Sequence, residues 1–196
     1  MGRRRARRPS PPAAEAPPTR YVAFLRAVNV RGHPSVRMND LRPVFEAAGC
    51  RNVETYLQSG NVLFDQQDDA ALGRAAEAVR AIAADTTRVI FRSLTELEAI
   101  VAADPFRDYL GDRRLKLYVV FLETAARATP NLPVVSVKDA LELIDVSGRE
   151  AYVVSRPRAS LMYGFPNAFV EAHLGIAATS RNWSTVTKLV EFAIRR

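Results

Sequence analysis

Tyr21-Val22-Ala23-Phe24-Leu25 is an apolar run without polar alternation, the pattern of a strand covered on both faces. Beyond a loop carrying Gly32 and Pro34, the residues Leu41, Val44, Phe45 and Ala48 recur at helical spacing, with Gly49 placed as a C-cap. Val53 to Gln58 and Asn61 to Phe64 flank Ser59-Gly60, a link suited to a hairpin. Leu72, Ala76, Val79 and Ile82 stripe a second helix over 70–84, and Arg88 to Phe91 reads as a strand. The order β-α-β-β-α-β over residues 20 to 91 is the ferredoxin-like pattern.

Ser93-Leu94-Thr95-Glu96 is a capping-box signature that opens a helix to about Ala103, where Asp104-Pro105 stops it. That helix is expected to hinge two halves. Leu115 to Leu122 is a strongly apolar strand, and Leu141 to Val146 and Ala151 to Ser155 form a hairpin through Gly148-Arg149. Pro166 opens a short helix ending near Gly175, and Val186, Leu189, Val190, Ala193 and Ile194 stripe a last one. The pattern predicts an α+β protein of two ferredoxin-like subdomains with antiparallel sheets, over residues 20–92 and 93–196. The second is a looser plait, and no residue repeat connects the two.

Residues 1–18 combine five Arg with five Pro and hold no large apolar side chain after Met1. Such a segment cannot bury enough surface to offset its ordering entropy. Residues 1–19 are therefore expected to form a disordered tail, either a functionless extension or mis-called start, or an electrostatic tether. The chain carries +7, of which the tail, with five Arg and one Glu, supplies more than half. Arg outnumbers Lys 25 to 3, a skew that a GC-rich genome explains as well as phosphate binding does. A single Cys excludes an internal disulfide framework, and no stretch approaches the roughly 18 apolar residues of a membrane span. The expected compartment is the cytosol.

Composition also narrows the chemistry. The glycines at 2, 32, 49, 60, 73, 111, 148, 164 and 175 are too far apart for a Gly-rich phosphate loop or a GxSxG elbow. His33 and His173 have no Cys or second His at metal spacing, so no metal and no cofactor are expected. Cys50 follows Gly49 at a helix C-terminus, where the dipole opposes a thiolate, and His173 suits the last turn of its own helix. No catalytic motif is legible, and the reading leans away from an enzyme.

Two segments carry more hydrogen-bonding groups than their apolar neighbours suggest. Arg26 and Asn29 follow the first strand, and Gln58, Ser59 and Asn61 start the third. The first and third strands of a plait are antiparallel neighbours, so these groups should converge near the helix that starts at Met38-Asn39. Arg181, Asn182 and Trp183 lie in the second segment, Thr179 to Val186, read as opening the last helix and capped by Ser180, Asn182 or Ser184. Ligand-binding residues are thus expected at Arg26, Asn29, Gln58, Ser59, Asn61, Arg181, Asn182 and Trp183, around a cleft between the halves. The competing reading is structural: the amides satisfy turn backbone, and Trp183 anchors its helix on the core.

Leu25-Arg26-Ala27-Val28-Asn29-Val30, Thr55-Tyr56-Leu57-Gln58-Ser59-Gly60-Asn61-Val62-Leu63-Phe64, Asp104-Pro105-Phe106 and Thr179-Ser180-Arg181-Asn182-Trp183-Ser184-Thr185-Val186 together resemble the bacterial domain-of-unknown-function family 1697. The resemblance spans residues 20 to 194. It implies two α-β plait subdomains in a small cytosolic bacterial protein, and no activity. The chain departs from the family pattern where Ala27 and Arg31 replace glycines, where His33-Pro34 follow Gly32, and at Ser180 and Ser184.

The function expected from these residues is that of a binding module for a small anionic ligand. Nucleic-acid binding is the alternative, from the plait and the basic tail, and an enzyme using the same cleft is a further one. No membrane partner is expected, and the sequence leaves the oligomeric state open.

Overall fold

Alternation along β1 (Thr19–Arg26) divides the interior, because Val22 and Phe24 point to one face of their sheet and Ala23 and Leu25 to the other. The computed structural model describes residues 17–26, 36–57, 60–66, 68–83, 87–158 and 160–195. Most of the expected N-terminal tail therefore lies outside the described residues, as do Asn29, Gln58 and Ser59. β1 is central to a sheet with β2 (Arg51–Tyr56), β3 (Asn61–Gln66) and β4 (Arg88–Ser93), in the order β2-β3-β1-β4. The pairings are antiparallel, as the plait requires.

The Ala23 and Leu25 face is covered by α1 (Met38–Ala47) and α2 (Asp69–Ile82), which bring Leu41, Phe45, Ala75 and Val79 into the same cluster. Asp68 caps α2 by accepting from the Ala70 N–H. The Val22 and Phe24 face is covered by α3 (Leu94–Ala103) and α5 (Trp183–Ile194). The predicted capping box opens α3: Ser93 Oγ accepts from the Glu96 N–H at 3.2 Å, and the Ser93 N–H donates to the Glu96 carboxylate at 2.7 Å. Leu97 and Ile100 of α3 pack into the central core that the two halves share.

The second half repeats the arrangement. β5 (Lys116–Leu122) sends Val119 and Phe121 into the central core and Tyr118, Val120 and Leu122 to the opposite face. That face is covered by α4 (Pro166–Leu174) through Phe169 and Val170. With β6 (Val134–Ser136), β7 (Leu141–Ser147), β8 (Glu150–Ser155) and β9 (Ala178–Asn182), the sheet runs β6-β7-β8-β5-β9. Leaving β6 aside, the order β7-β8-β5-β9 retraces β2-β3-β1-β4. The looseness has a definite cause: a segment holding β6 stands where the first half has α1.

One local expectation is corrected. Thr179 to Asn182 is not part of the last helix but the edge strand β9, laddered to β5 through Val120 opposite Ser180 and Val119 opposite Arg181. Asn182, one of the three expected cap residues, holds the N-cap position of α5 but makes no side-chain cap bond. None of the helices among the described residues is long and apolar enough to cross a membrane.

Candidate functional site

Arg181 sits on β9 and is 8% exposed. A guanidinium has five N–H donors, and here each meets a protein oxygen. Nε donates to Asn61 Oδ1 at 2.6 Å, Nη1 to Thr179 Oγ1 and the Ser180 carbonyl, and Nη2 to the Leu25 and Gly60 carbonyls. Leu25, Gly60 and Asn61 belong to the first half, so this side chain fastens the second sheet to the first. Among the described residues no carboxylate pairs with it, and burial pushes its guanidinium down to about 10.

Arg92 does the reverse from β4. Fully buried, it donates through Nε to Glu150 at 2.6 Å, through Nη1 to the Phe91 carbonyl, and through Nη2 to the Leu122 and Arg149 carbonyls. The two arginines are equivalent by ladder position: Val22 faces Arg92, and Val119 faces Arg181. Their acceptors are equivalent too. Asn61 opposes Phe24 and Glu150 opposes Phe121. The Leu25 N–H donates to Gly60 O as the Leu122 N–H does to Arg149 O, both at 2.8 Å. Between the arginines, Phe24 and Phe121 stack at 4.0 Å and 9°. Arg92 lies over Phe121 at 5.6 Å and Arg181 over Phe24 at 5.4 Å. The two plaits thus meet across an approximate two-fold relation at the level of single side chains.

The relation breaks in charge. At the Arg92 end, Arg92 and Arg149 are matched by Glu150 and Glu96. At the Arg181 end, Arg181 is joined by Arg26 and by Arg88, its Cα partner across β1 and β4. Among the described residues Glu171 is the carboxylate there, and it pairs with Arg26. Arg88 is exposed and makes no ion pair among the described residues. Burial, and then the facing Arg88 charge, lower the Arg26 pKa.

The predicted residues therefore divide. Arg26, Asn61 and Arg181 do converge at the seam. Arg26 is not a free charge, because it holds Glu171 and donates to the Ala178 carbonyl at 3.1 Å. Asn61 is fully buried, accepting from Arg181 and donating to the Tyr56 carbonyl at 3.0 Å. Trp183 turns away into the central core, 5.5 Å from the Phe106 ring, as the structural reading has it. Asn182 is exposed. Sequence reasoning missed Arg88, Arg92, Glu150 and Glu171. An Arg between Phe91 and the capping box was the available signal for Arg92.

A cavity of about 1050 Å³ lies elsewhere, beside the edge strand β2, with Arg20, Arg42, Glu54, Asp65, Glu98 and Ile194 among its lining. Among the described residues, none of those predicted to bind ligand lines it. Arg20 is committed to Glu54 and Asp65 at 3.1 and 3.0 Å. Both faces of the first sheet are covered: its aromatic residues Tyr21, Phe64 and Phe91 pack on the α1 and α2 side, and Phe24 and Tyr56 on the central-core side. An open stacking platform for bases, one of the two grounds of the nucleic-acid alternative, is not formed by that sheet; the other, the basic tail, lies mostly outside the described residues.

Among solved structures, the conserved bacterial protein SP0830 from Streptococcus pneumoniae has a similar fold. The TM-score is 0.60 at 20% identity, covering 89% of this chain and 98% of that one. None of the curated proteins matches. The model of one family, described as "Protein of unknown function (DUF1697)", matches residues 19–152.

Proposed function

The chain belongs to DUF1697, a family of proteins of unknown function, and from that premise we propose that it is a binding module for a small anionic ligand held at the Arg181 end of the seam. The observation that supports the reading is the broken charge symmetry: among the described residues, three arginines and one glutamate gather where the equivalent end balances its charges. Like charges directly opposite each other on neighbouring strands repel, and an oxyanion between Arg26 and Arg88 relieves that repulsion. Arg88 supplies a guanidinium with no ion pair among the described residues and Arg26 the half-buried one. Arg181, with its donors filled, positions β1 and β9 and contributes charge without touching the ligand.

A thermal-shift screen of anionic metabolites tests this. A ligand at about 100 times its dissociation constant adds roughly 2.7 kcal/mol of stability. An anion that stabilises the wild type and fails with Arg88→Ala supports the site. Stabilisation that survives Arg88→Ala, or none from any anion, overturns it.

A further inference from the structure

Resting on that reading of the seam, we infer that Glu171 is a built-in stand-in for the ligand, a carboxylate of the chain itself that occupies the oxyanion position and must be displaced when ligand binds. Its Oε1 accepts from Arg26 Nη1 and from the Ala178 N–H, the latter at 2.8 Å. A guanidinium and a backbone amide converging on one carboxylate oxygen are the donors that a bound carboxylate or phosphate would use. The neighbouring Arg88 leaves further donors beside it for a second oxygen.

The Glu150 carboxylate at the opposite end shows the contrast. It comes from β8, within the ladder, and faces an arginine with no exposure. Releasing it would strand a buried cation. Glu171 comes instead from α4, outside the strand ladder, and the Arg26–Glu171 pair is 30% and 24% exposed. Water and solutes therefore reach this pair, and a side-chain rotation frees the guanidinium without breaking a strand. While Glu171 is seated, apparent affinity falls by the fraction of molecules in which the site is open. The chain thereby sets a threshold: weakly bound or singly charged anions are excluded, and an oxyanion that also engages Arg88 wins the exchange.

Titration calorimetry with inorganic phosphate, on the full chain, tests this with three variants. Glu171→Gln keeps the shape and an acceptor oxygen and removes the charge, so phosphate should bind about tenfold tighter, the equivalent of about 1.4 kcal/mol. Glu171→Asp withdraws the carboxylate from Arg26 while keeping the charge, and should give a smaller gain. Arg88→Ala should weaken binding in both the wild-type and the Gln backgrounds. Phosphate affinity equal to or below wild type in both Glu171 variants, with the Arg88 effect retained, overturns the stand-in and leaves the anion site. Absence of phosphate binding in the wild type and in both Glu171 variants overturns both.

Discussion

Asn61 and Glu150 occupy the same place in the two halves of the seam, each accepting the Nε–H of an arginine from the opposite half at 2.6 Å. One is neutral and the other charged, so the molecule contains its own control for what the carboxylate contributes. Since Arg181 is held by an amide, a hydroxyl and carbonyls with no carboxylate among the described residues, Glu150→Gln should be tolerated at a cost of about 1 kcal/mol, the size of one net hydrogen-bond change. Glu150→Ala leaves Arg92 buried without that acceptor and should cost about 3 kcal/mol. Urea denaturation of the two variants checks the order; equal losses would mean that the charge, not the acceptor, holds Arg92.

Two glycines should respond with opposite sign. Gly73 lies inside α2 with open space where a Cβ would go, so Gly73→Ala should stabilise by about 1 kcal/mol through helix propensity. A Cβ on Gly164 would come within 2.1 Å of the Asp139 carbonyl oxygen and 2.9 Å of the Leu141 side chain. Gly164→Ala should therefore destabilise by about 2 kcal/mol, as overpacking does. Thermal denaturation of each variant against wild type reads both.

Cys50 gives a prediction in pH. It is 4% exposed, and burial pushes its thiol up to about 11 from an ordinary 9, against a smaller lowering by Arg74. The unfolded chain gives up this proton first, so its contribution to stability is intact below pH 9 and is lost as pH rises through 11. Chemical denaturation from pH 8 to 11 should show a decline that Cys50→Ala makes shallower. At pH 8 the native thiol should react far more slowly with a disulfide reagent than it does in denaturant.

The α+β class, the first plait, the capping box of α3 and the hairpin through Gly148 were legible because each rests on local pattern. β9 was not. Its residues Thr179-Ser180-Arg181-Asn182 are polar, and a polar stretch before an apolar stripe reads as a helix start. It becomes a strand because β5 offers an open edge, a non-local fact. The convergence of Arg26, Asn61 and Arg181 followed from strand order, whereas their saturation did not. Arginine is rarely buried, and nothing local indicates that three of its acceptors, on Leu25, Gly60 and Asn61, wait across the seam. The kinship of the halves was legible as topology but not as a residue repeat, because equivalent residues differ in type, Asn61 from Glu150 and Leu94 from Trp183. The interval along the chain also differs between the strand pairs.

The crossing of Arg92 and Arg181 makes each half the guest of the other. A chain cut at the exposed Arg113-Arg114 link would yield fragments that each carry a guanidinium stripped of three of its acceptors and carbonyls awaiting their donor. Synthesised apart, they should precipitate or remain unstructured; produced together, they should reassemble. That would make the protein a candidate for fragment complementation, with Arg181→Ala as the break that prevents rejoining.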